Sequence, residues 1–586
     1  MSNARRHYSA KRLIIPNKQK SEDFVEETPI LGMSFDGVLQ IDPRLIERKG
    51  KLGEGTFGCV ERVQYKGEMY ALKMFRDVDD DGENFVRERN QLMKLQHSNI
   101  VQLYGCTSSK HKQVSLLLEY MPGGSLDCVL HGSKKIRYSG IQACNWLWQC
   151  AAGVEYLHAQ NPPILHRDLK PKNLLLSADH RQLKLCDFGL ATDKSRSTMT
   201  DCVGTFVYMA PEVFKGGKYS ESCDVYSLGI IIWEVLAKKK PFSEHKKLSK
   251  VTIGYNVATN GIRPPLDTPF YVEVKGLEVL MVNCWDQQPD KRPNIETSVE
   301  ILQNKLLYSI IERDDTATLS YILPKLSLDA LNATRDHNGD PLLLVAIQMN
   351  KILCVKLLLK QGVDVDIRRN RPNDDTDGVT ALHLAAGTIS SLELVQLLIR
   401  VKADVNSRDA LGRTPLHHAV DVLDNNVDAR VKIITELAHS GADVTSIDTR
   451  GRTPLMCAVL RWAKTEQKPS KLNKENLGHK SWATKSIETL IELTPADQRE
   501  EMMNMADQVE GNTAIHLAVI AADQPDCVEF LISNGANTEV KNQAGQTPLM
   551  LSIDKEHYKC MTKLIDLGAD MGWFKEQFRR ADNTGD

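Results

Sequence analysis

The sequence predicts an α+β domain, a β-rich part followed by a helical part, and then an all-α solenoid of short repeats. Three observations predict it. Between about residues 45 and 306, short β-rich runs punctuated by glycine come first, such as Val60-Glu61-Arg62-Val63 and Tyr70-Ala71-Leu72-Lys73-Met74. Helical periodicity then takes over, as in 141–158 and 223–237. After residue 335 a core of the form Gly-x-Thr/Asp-Pro/Ala-Leu/Ile recurs six times.

Length and composition agree with this division. At 586 residues the chain is too long for one ordinary core, so two or three domains are expected. An apolar fraction of 42% and a charged fraction of 26% are those of soluble globular protein. The formal net charge of −2 offers no basic excess, so no nucleic-acid partner is expected. Thirteen cysteines are scattered without pairing rhythm, and no Cys-x-x-Cys pair marks a finger-type zinc site. Thiols spread in this way suit a reducing compartment, so a cytoplasmic location is expected, with the nucleus as a second compartment. No apolar core follows the basic residues of the N-terminus, so no secretory signal is read there. The most apolar stretch, Leu228 to Ala237, is short and holds Glu234, so no membrane insertion is expected.

Residues 1–43 mix Arg5, Arg6, Lys11, Arg12, Lys18 and Lys20 with Glu22, Asp23, Glu26 and Glu27. They show no periodic apolar face and are expected to be a flexible arm.

The six repeat cores begin at Gly339 (slipped by one), Gly378, Gly412, Gly451, Gly511 and Gly545, separated by 39, 34, 39, 60 and 34 residues. Closing turns recur too, as Gly362-Val363-Asp364-Val365, Gly441-Ala442-Asp443-Val444 and Gly535-Ala536-Asn537. Each residue type has a local purpose. Thr supplies an oxygen near a helix start, Pro fits the first turn, Leu and Ala pack the neighbouring repeat, and Gly permits positive φ. The pattern resembles the ankyrin repeat, whose period is 33 residues, once short insertions are allowed. The polar run Lys464 to Lys480 reads as a loop inserted between the helices of the fourth repeat. This gives an array over 336–574 of about six repeats with an insertion near 464–483, a connector or helical cap over 307–335, and a tail over 575–586. Such arrays bind proteins through an extended concave surface, so a protein ligand is the expected partner.

The chemistry lies in the first domain. Gly53-Glu54-Gly55-Thr56-Phe57-Gly58-Cys59-Val60 spaces its glycines so that a hairpin can lie close over phosphates. Lys73 stands thirteen residues after Val60 at the end of Ala71-Leu72-Lys73, an apolar strand pattern, where a phosphate-contacting lysine is expected. It needs a carboxylate partner. Glu88, on a helical segment with Phe85, Leu92 and Leu95 as its apolar stripe, can supply one, and Glu83 competes. In His166-Arg167-Asp168-Leu169-Lys170-Pro171-Lys172-Asn173, Asp168 can orient an attacking hydroxyl and accept its proton. Lys170 would offset charge on the transferring γ-phosphate. Asn173 can ligate a metal, and Asp187 of Asp187-Phe188-Gly189, fourteen residues on, is placed to hold Mg²⁺. His166 is expected to be a packed structural residue. Between Asp187 and Ala210-Pro211-Glu212 the chain is rich in hydroxyls, and Arg167 would be a cation awaiting a phosphate on that loop. Glu212 and Arg292 are expected to pair as a scaffold, with Asp224 pinning the catalytic loop.

These motifs, in this order, resemble the eukaryotic protein kinase domain over residues 44–306. The resemblance implies an α+β bilobal protein kinase domain followed by an all-α ankyrin-repeat solenoid. It further implies ATP and Mg²⁺ as cofactors and a protein substrate. Lys170 and the Gly204-Thr205-x-x-Tyr208 stretch look like the serine/threonine class, in which Thr205 is structural rather than a phosphosite. Asp224-Val225-Tyr226-Ser227-Leu228-Gly229 and Cys284-Trp285 with Arg292-Pro293 look like the tyrosine-kinase-like group. Within that group Gly123-Gly124-Ser125-Leu126, Val129-Leu130-His131-Gly132 and Gly261-Ile262-Arg263-Pro264-Pro265 resemble the TGF-β-activated family of MAP kinase kinase kinases. By that likeness the ATP site takes in Gly53, Gly55, Gly58, Val60, Ala71, Lys73 and Leu174, with Leu118 as gatekeeper and Glu119 and Met121 as the adenine-binding hinge. Ser197, Thr198 and Thr200 become candidate activating phosphosites, and the substrate a MAP kinase kinase. The chain departs from that family in carrying ankyrin repeats in place of a coiled-coil tail. The reading from a different class is an ankyrin-based signalling scaffold with an inactive or weakly active kinase module. Loss of Lys73, Asp168, Asn173 or Asp187 would favour it, and all four are present.

Overall fold

A computed structural model describes residues 39–55, 58–75, 78–108, 114–188, 192–193, 206–267, 271–272, 274–336, 338–372, 374–387, 391–421, 427–465 and 482–572. Most of the expected N-terminal arm and the C-terminal tail lie outside these residues. So do most of the expected insertion and the loop hydroxyls Ser197, Thr198, Thr200 and Thr205. The chain divides into two compact units. One holds the residues up to Lys134 with Gly153–Ser227 and Ser249–Thr259, and the other holds Lys135–Ala152, Leu228–Leu248 and Asn260 onward.

The first unit opens with β1 (Glu47–Gly55), β2 (Gly58–Tyr65) and β3 (Glu68–Phe75), then α1 (Val78–Lys94), β4 (Leu103–Ser108) and β5 (Val114–Glu119). The strands form one antiparallel sheet in the order β1-β2-β3-β5-β4. Alternation along β2 and β3 turns Val63, Leu72 and Met74 inward, where they meet Leu117 and Ile41. Ile41 arrives from an added edge segment. Its amide donates to the Cys106 carbonyl at 2.9 Å, and the Cys106 amide donates to Leu39 at 3.0 Å. The α1 stripe is as expected, with Phe85 and Leu92 buried. Short strands follow: β6 (Gly124–Ser125), β7 (Ile164–Leu165), β8 (Leu174–Leu176), β9 (Leu183–Leu185) and β10 (Thr192–Asp193). β6-β8-β9 make one small sheet and β10-β7 another. The helices between and after them are α2 (Leu126–His131), α3 (Gly140–His158), α4 (Pro211–Phe214), α5 (Glu221–Ala237) and α6 (Lys250–Asn260). α2 starts at Ser125, whose side chain caps the Cys128 amide.

The second unit takes the rest of α3 and α5, then α7 (Leu277–Cys284) and α8 (Ile295–Glu312). Its core here centres on Trp233, fully buried, whose indole N–H donates to the Pro265 carbonyl at 2.9 Å. After α9 (Thr316–Ile322) and α10 (Leu328–Ala333), helices come in pairs packed on one another. These are α11 (Leu342–Gln348) with α12 (Ile352–Gln361), α13 (Ala381–Ala386) with α14 (Leu392–Arg400), and α15 (Pro415–Val420) with α16 (Val427–His439). Then come α17 (Pro454–Thr465) with α18 (Trp482–Leu493), the short α19 (Arg499–Asn504), α20 (Ala514–Ala521) with α21 (Pro525–Ser533), and α22 (Pro548–Asp554) with α23 (Tyr558–Asp566). The expected insertion falls in the gap between α17 and α18.

The repeat chemistry is visible bond by bond. Thr380, Thr414 and Thr513 cap α13, α15 and α20, each hydroxyl donating to the Nδ1 of the histidine three residues on, at 2.8, 2.9 and 2.8 Å. Those histidines reach the next repeat. Nε2 of His383, His417 and His516 donates to the carbonyls of Arg413, Arg452 and Gln546 at 2.9, 3.0 and 3.1 Å. Gly362 ends α12 with φ 93°, the left-handed conformation that only glycine adopts freely. Among the described residues, no helix is long and apolar enough to cross a membrane.

Candidate active site

The expected catalytic residues converge in the first unit. Val60 lies opposite Gly53 on β1 and opposite Lys73 on β3, so the hairpin roof and the phosphate-contacting lysine are cross-strand neighbours. Gly58 closes that roof at φ 148°. A Cβ there would sit 1.8 Å from the Met74 carbonyl oxygen, which only glycine avoids. Ala71 pairs with Leu118 across β3 and β5, and Ala71, Leu118, Met121 and Leu174 are all buried. They form the apolar walls expected to face a base.

Lys73 meets two carboxylates. Its Nζ lies 2.8 and 2.6 Å from the two Glu88 oxygens and 2.8 Å from Asp187 Oδ1. Glu88 is 1% exposed and is the α1 carboxylate that Lys73 meets, while the side chain of its sequence competitor Glu83 lies outside the described ones. Burial opposes charge on each member of this triad. For Lys73 the two carboxylates outweigh burial and push the ammonium above its ordinary value. Burial dominates at Glu88 and pushes it up, whereas Lys73 overcomes burial at Asp187 and holds it low. Two ion pairs, at 2.6 and 2.8 Å, join the three groups in one cluster.

Asp168 stands on the loop between β7 and β8, 6% exposed. Lys170 Nζ lies 2.8 and 2.6 Å from its two oxygens, and Asn173 Nδ2 donates to its carbonyl and to Oδ2, both at 2.9 Å. The expected partner of the γ-phosphate, Lys170, thus rests on the expected base. With its amide nitrogen committed to Asp168, Asn173 has its oxygen as the atom a cation would take. The donor set around this point, one carboxylate from Asp187 and one amide oxygen from Asn173, fits Mg²⁺, which favours few protein oxygens beside phosphate.

The loop is held from below. Asp224 accepts the His166 amide at 2.9 Å, the Arg167 amide at 3.0 Å and His158 Nε2 at 2.9 Å. These bonds hold Arg167 at φ 64°, a left-handed conformation costly for a side-chain residue. Asp224 is fully buried, yet its hydrogen bond to His158 leads the effects that hold its carboxyl below the ordinary range against burial. His166 is buried and lies 5.3 Å, centroid to centroid, from the Phe188 ring, as a packed structural residue should. The Arg167 guanidinium sits 4.6 Å from the centre of the Tyr219 ring. Of the expected scaffold pair, Glu212 lies in the first unit beside Cys223 Sγ at 3.4 Å. Arg292 lies in the second, its Nε donating to the Asp286 carbonyl at 2.9 Å.

Sequence reasoning missed three contributors. His158 is one of the Asp224 anchors. Lys184 of β9 fixes the hinge residue Glu119 through a 2.7 Å ion pair, and Asn99 Nδ2 donates to the Leu183 carbonyl at 2.8 Å, tying the segment after α1 to β9. Neither His158 nor Lys184 has a local motif, and Asn99 lies in the turn His97-Ser98-Asn99-Ile100-Val101, whose bond to β9 the spacing does not show. Cys186, beside Asp187, is part-buried in the site, and desolvation pushes its thiol pKa up.

Residues 46–306 match the protein kinase domain family, and 306–409, 365–447, 389–464 and 482–572 match the family of ankyrin repeats in three copies. The chain carries a protein kinase domain followed by ankyrin repeats. Mitogen-activated protein kinase kinase kinase 7 of Homo sapiens is 41% identical over 286 residues, which are 48% of this chain and 45% of that protein. The Drosophila melanogaster protein of the same name is 40% identical over 263 residues, covering 45% of this chain and 38% of its own length. A probable serine/threonine-protein kinase of Dictyostelium discoideum is 36% identical over 292 residues, 49% of this chain and 31% of its own length. The chain spans under half the length of each of these relatives, and the kinase domain is MAP kinase kinase kinase-like.

Proposed function

We propose that the protein is an ATP- and Mg²⁺-dependent serine/threonine protein kinase of MAP kinase kinase kinase type, with its repeats docking a protein ligand. The observation that carries this reading is one unit holding both halves of the machinery. Lys73 bridges Glu88 and Asp187 in it, and Asp168 is held by Lys170 and Asn173. In the proposed step, a serine or threonine hydroxyl of the substrate hydrogen-bonds to Asp168. Its oxygen bonds to the γ-phosphorus as the bond from phosphorus to the β,γ-bridging oxygen breaks. ADP leaves with that electron pair, and the hydroxyl proton passes to Asp168. Lys73 positions the α- and β-phosphates, and Lys170 offsets charge on the oxygens in transfer. Mg²⁺, held by Asp187 and Asn173, would neutralise the phosphate oxygens and orient them. The relatives named as MAP kinase kinase kinases support a MAP kinase kinase as substrate. The described cysteines, all free thiols, support a cytoplasmic location with access to the nucleus.

Full-length protein with radiolabelled ATP, Mg²⁺ and a catalytically dead MAP kinase kinase is the direct test. The reading expects label on serine or threonine, abolished by EDTA. Label on tyrosine alone, or equal transfer in EDTA, contradicts it. No transfer at all would favour the scaffold.

A further inference from the structure

Helix α8 runs unbroken from Ile295 to Glu312, across residue 306, where the kinase-domain match ends and the first ankyrin match begins. It carries contacts of both kinds. In its first half Ile295, Ser298 and Leu302 are buried, and Ser298 Oγ lies 3.9 Å from Cys284 Sγ of α7. Its Lys305 and the next residue after the helix, Arg313, bring positive charge to the buried Cys144 of α3. In its second half Leu306, Leu307, Ile310 and Ile311 are each fully buried. There α8 packs on α9 and α11, and the Tyr308 hydroxyl donates to the Asp340 carbonyl at 2.9 Å, in the turn that opens the first repeat core. Just past the helix, Asp314 accepts from Cys354 Sγ of α12 at 3.3 Å.

The buried positions define a geometry. At 100° per residue, Ile295, Ser298, Leu302, Leu306, Leu307, Ile310 and Ile311 span roughly 220° of the helix circumference. That is about twice the ~100° stripe a surface helix buries against one core. A helix so covered has two neighbours, and here they come from two families of sequence.

We infer that α8 is shared, being both the closing helix of the kinase domain's helical part and the opening helix of the ankyrin array. The two therefore form one cooperative body, and a protein seated on the first repeats stabilises α7 directly and, through it, the 228–237 part of α5, whose Gly229 lies against Met281 and Cys284 of α7. The repeats are then more than a tether. Opening the first repeat strips cover from α8, and α8 cannot lose that cover without loosening its grip on α7. A ligand that binds only the closed repeats suppresses both openings together. This inference rests on the fold and stands whether or not the kinase reading does.

Hydrogen exchange of the full-length protein tests it, with Leu344→Ala in α11 and Leu564→Ala in α23 as the remote counterpart; both leucines are fully buried. Leu344→Ala is expected to speed exchange in 277–284 and 228–237 by on the order of tenfold or more, together with its own helix. Leu564→Ala is expected to speed exchange around α23 and leave 277–284 within about twofold. Faster exchange confined to α11 and α13 in Leu344→Ala, with 277–284 unchanged, would overturn the inference. Should that variant fail to accumulate folded, Tyr308→Phe removes only the hydroxyl bond to Asp340. It is expected to speed α7 and α11 together by about fivefold, and a change in α11 alone would overturn the inference equally.

Discussion

Asp224→Asn is the substitution that isolates the support of the catalytic loop from the catalytic groups themselves. The Asp224 carboxylate serves three donors, with His158 and the His166 amide on Oδ2 and the Arg167 amide on Oδ1. Asparagine keeps one acceptor oxygen and presents an NH₂ to whichever donor faces it. One charge-assisted bond, worth about 1.5–3 kcal/mol, is lost outright. The remaining two fall to neutral strength, about half. The sum is a destabilisation of about 3–6 kcal/mol. The Arg167 backbone, held at φ 64° by these bonds, then relaxes and carries Asp168 with it. A displacement near 1 Å costs about 100-fold in rate. ATP affinity should hold, because Lys73, Glu88 and Asp187 do not depend on Asp224. Chemical denaturation paired with single-turnover transfer reads both effects. Stability also acquires a pH signature. The folded carboxyl titrates below its unfolded value, so its stabilisation is present above the ordinary carboxylate range and lost as pH falls through the depressed folded value. The asparagine variant should lack that limb. A variant within about 1 kcal/mol of wild type that turns over within about threefold would refute the reasoning.

Lys73→Met leaves Glu88 buried beside Asp187 without a cation, and should cost at least about 100-fold in transfer and several degrees in thermal midpoint. A near-normal rate would remove Lys73 from the site. In the array, burial, joined at His383 by the neighbouring His418 charge, holds His383 down to about 3 and His417 and His516 low. The unfolded chain binds those protons first, so array stability should fall as pH drops below about 6.5. A flat acid limb from pH 7 to 5 in circular dichroism melts would contradict this. Asp366 accepts from the Asp404 amide at 3.0 Å where Asn332, Asn406 and Asn504 make the equivalent inter-repeat bond. Burial, with Asp404 and Asp364 nearby, pushes its carboxyl up, so ionised Asp366 weakens the fold above the carboxylate range. Asp366→Asn should therefore stabilise the protein by a few tenths of a kcal/mol at pH 7, solvent screening keeping the gain small. A lower melting midpoint in that variant would show the carboxylate to be favourable.

How much was legible followed from how local the chemistry is. Lys73, Asp168, Asn173 and Asp187 could be read because phosphoryl transfer constrains residue type and order along the chain. Glu88 needed only a helical stripe to face it inward. The threonine at each repeat's helix start could be read for the same reason, since a cap is local, whereas the histidine it meets and that histidine's reach to the next repeat were not. His158 with Asp224 and Lys184 with Glu119 could not be read, because the partners are 66 and 65 residues apart and neither His158 nor Lys184 sits in a motif. The kinase domain was expected to end at 306 with a connector beyond, whereas α8 continues to Glu312. The apolar spacing of that stretch says that the helix is buried, but periodicity does not name the neighbours that bury it.

The most direct test of the central claim separates nucleotide binding from chemistry in Asp168→Asn. Asparagine keeps the shape of the side chain and the bond to Asn173, and loses the proton acceptor. The account predicts ATP affinity within about threefold of wild type and transfer to serine or threonine slower by several hundred-fold. Transfer at near the wild-type rate with affinity intact would show that this constellation binds nucleotide without performing the reaction assigned to it.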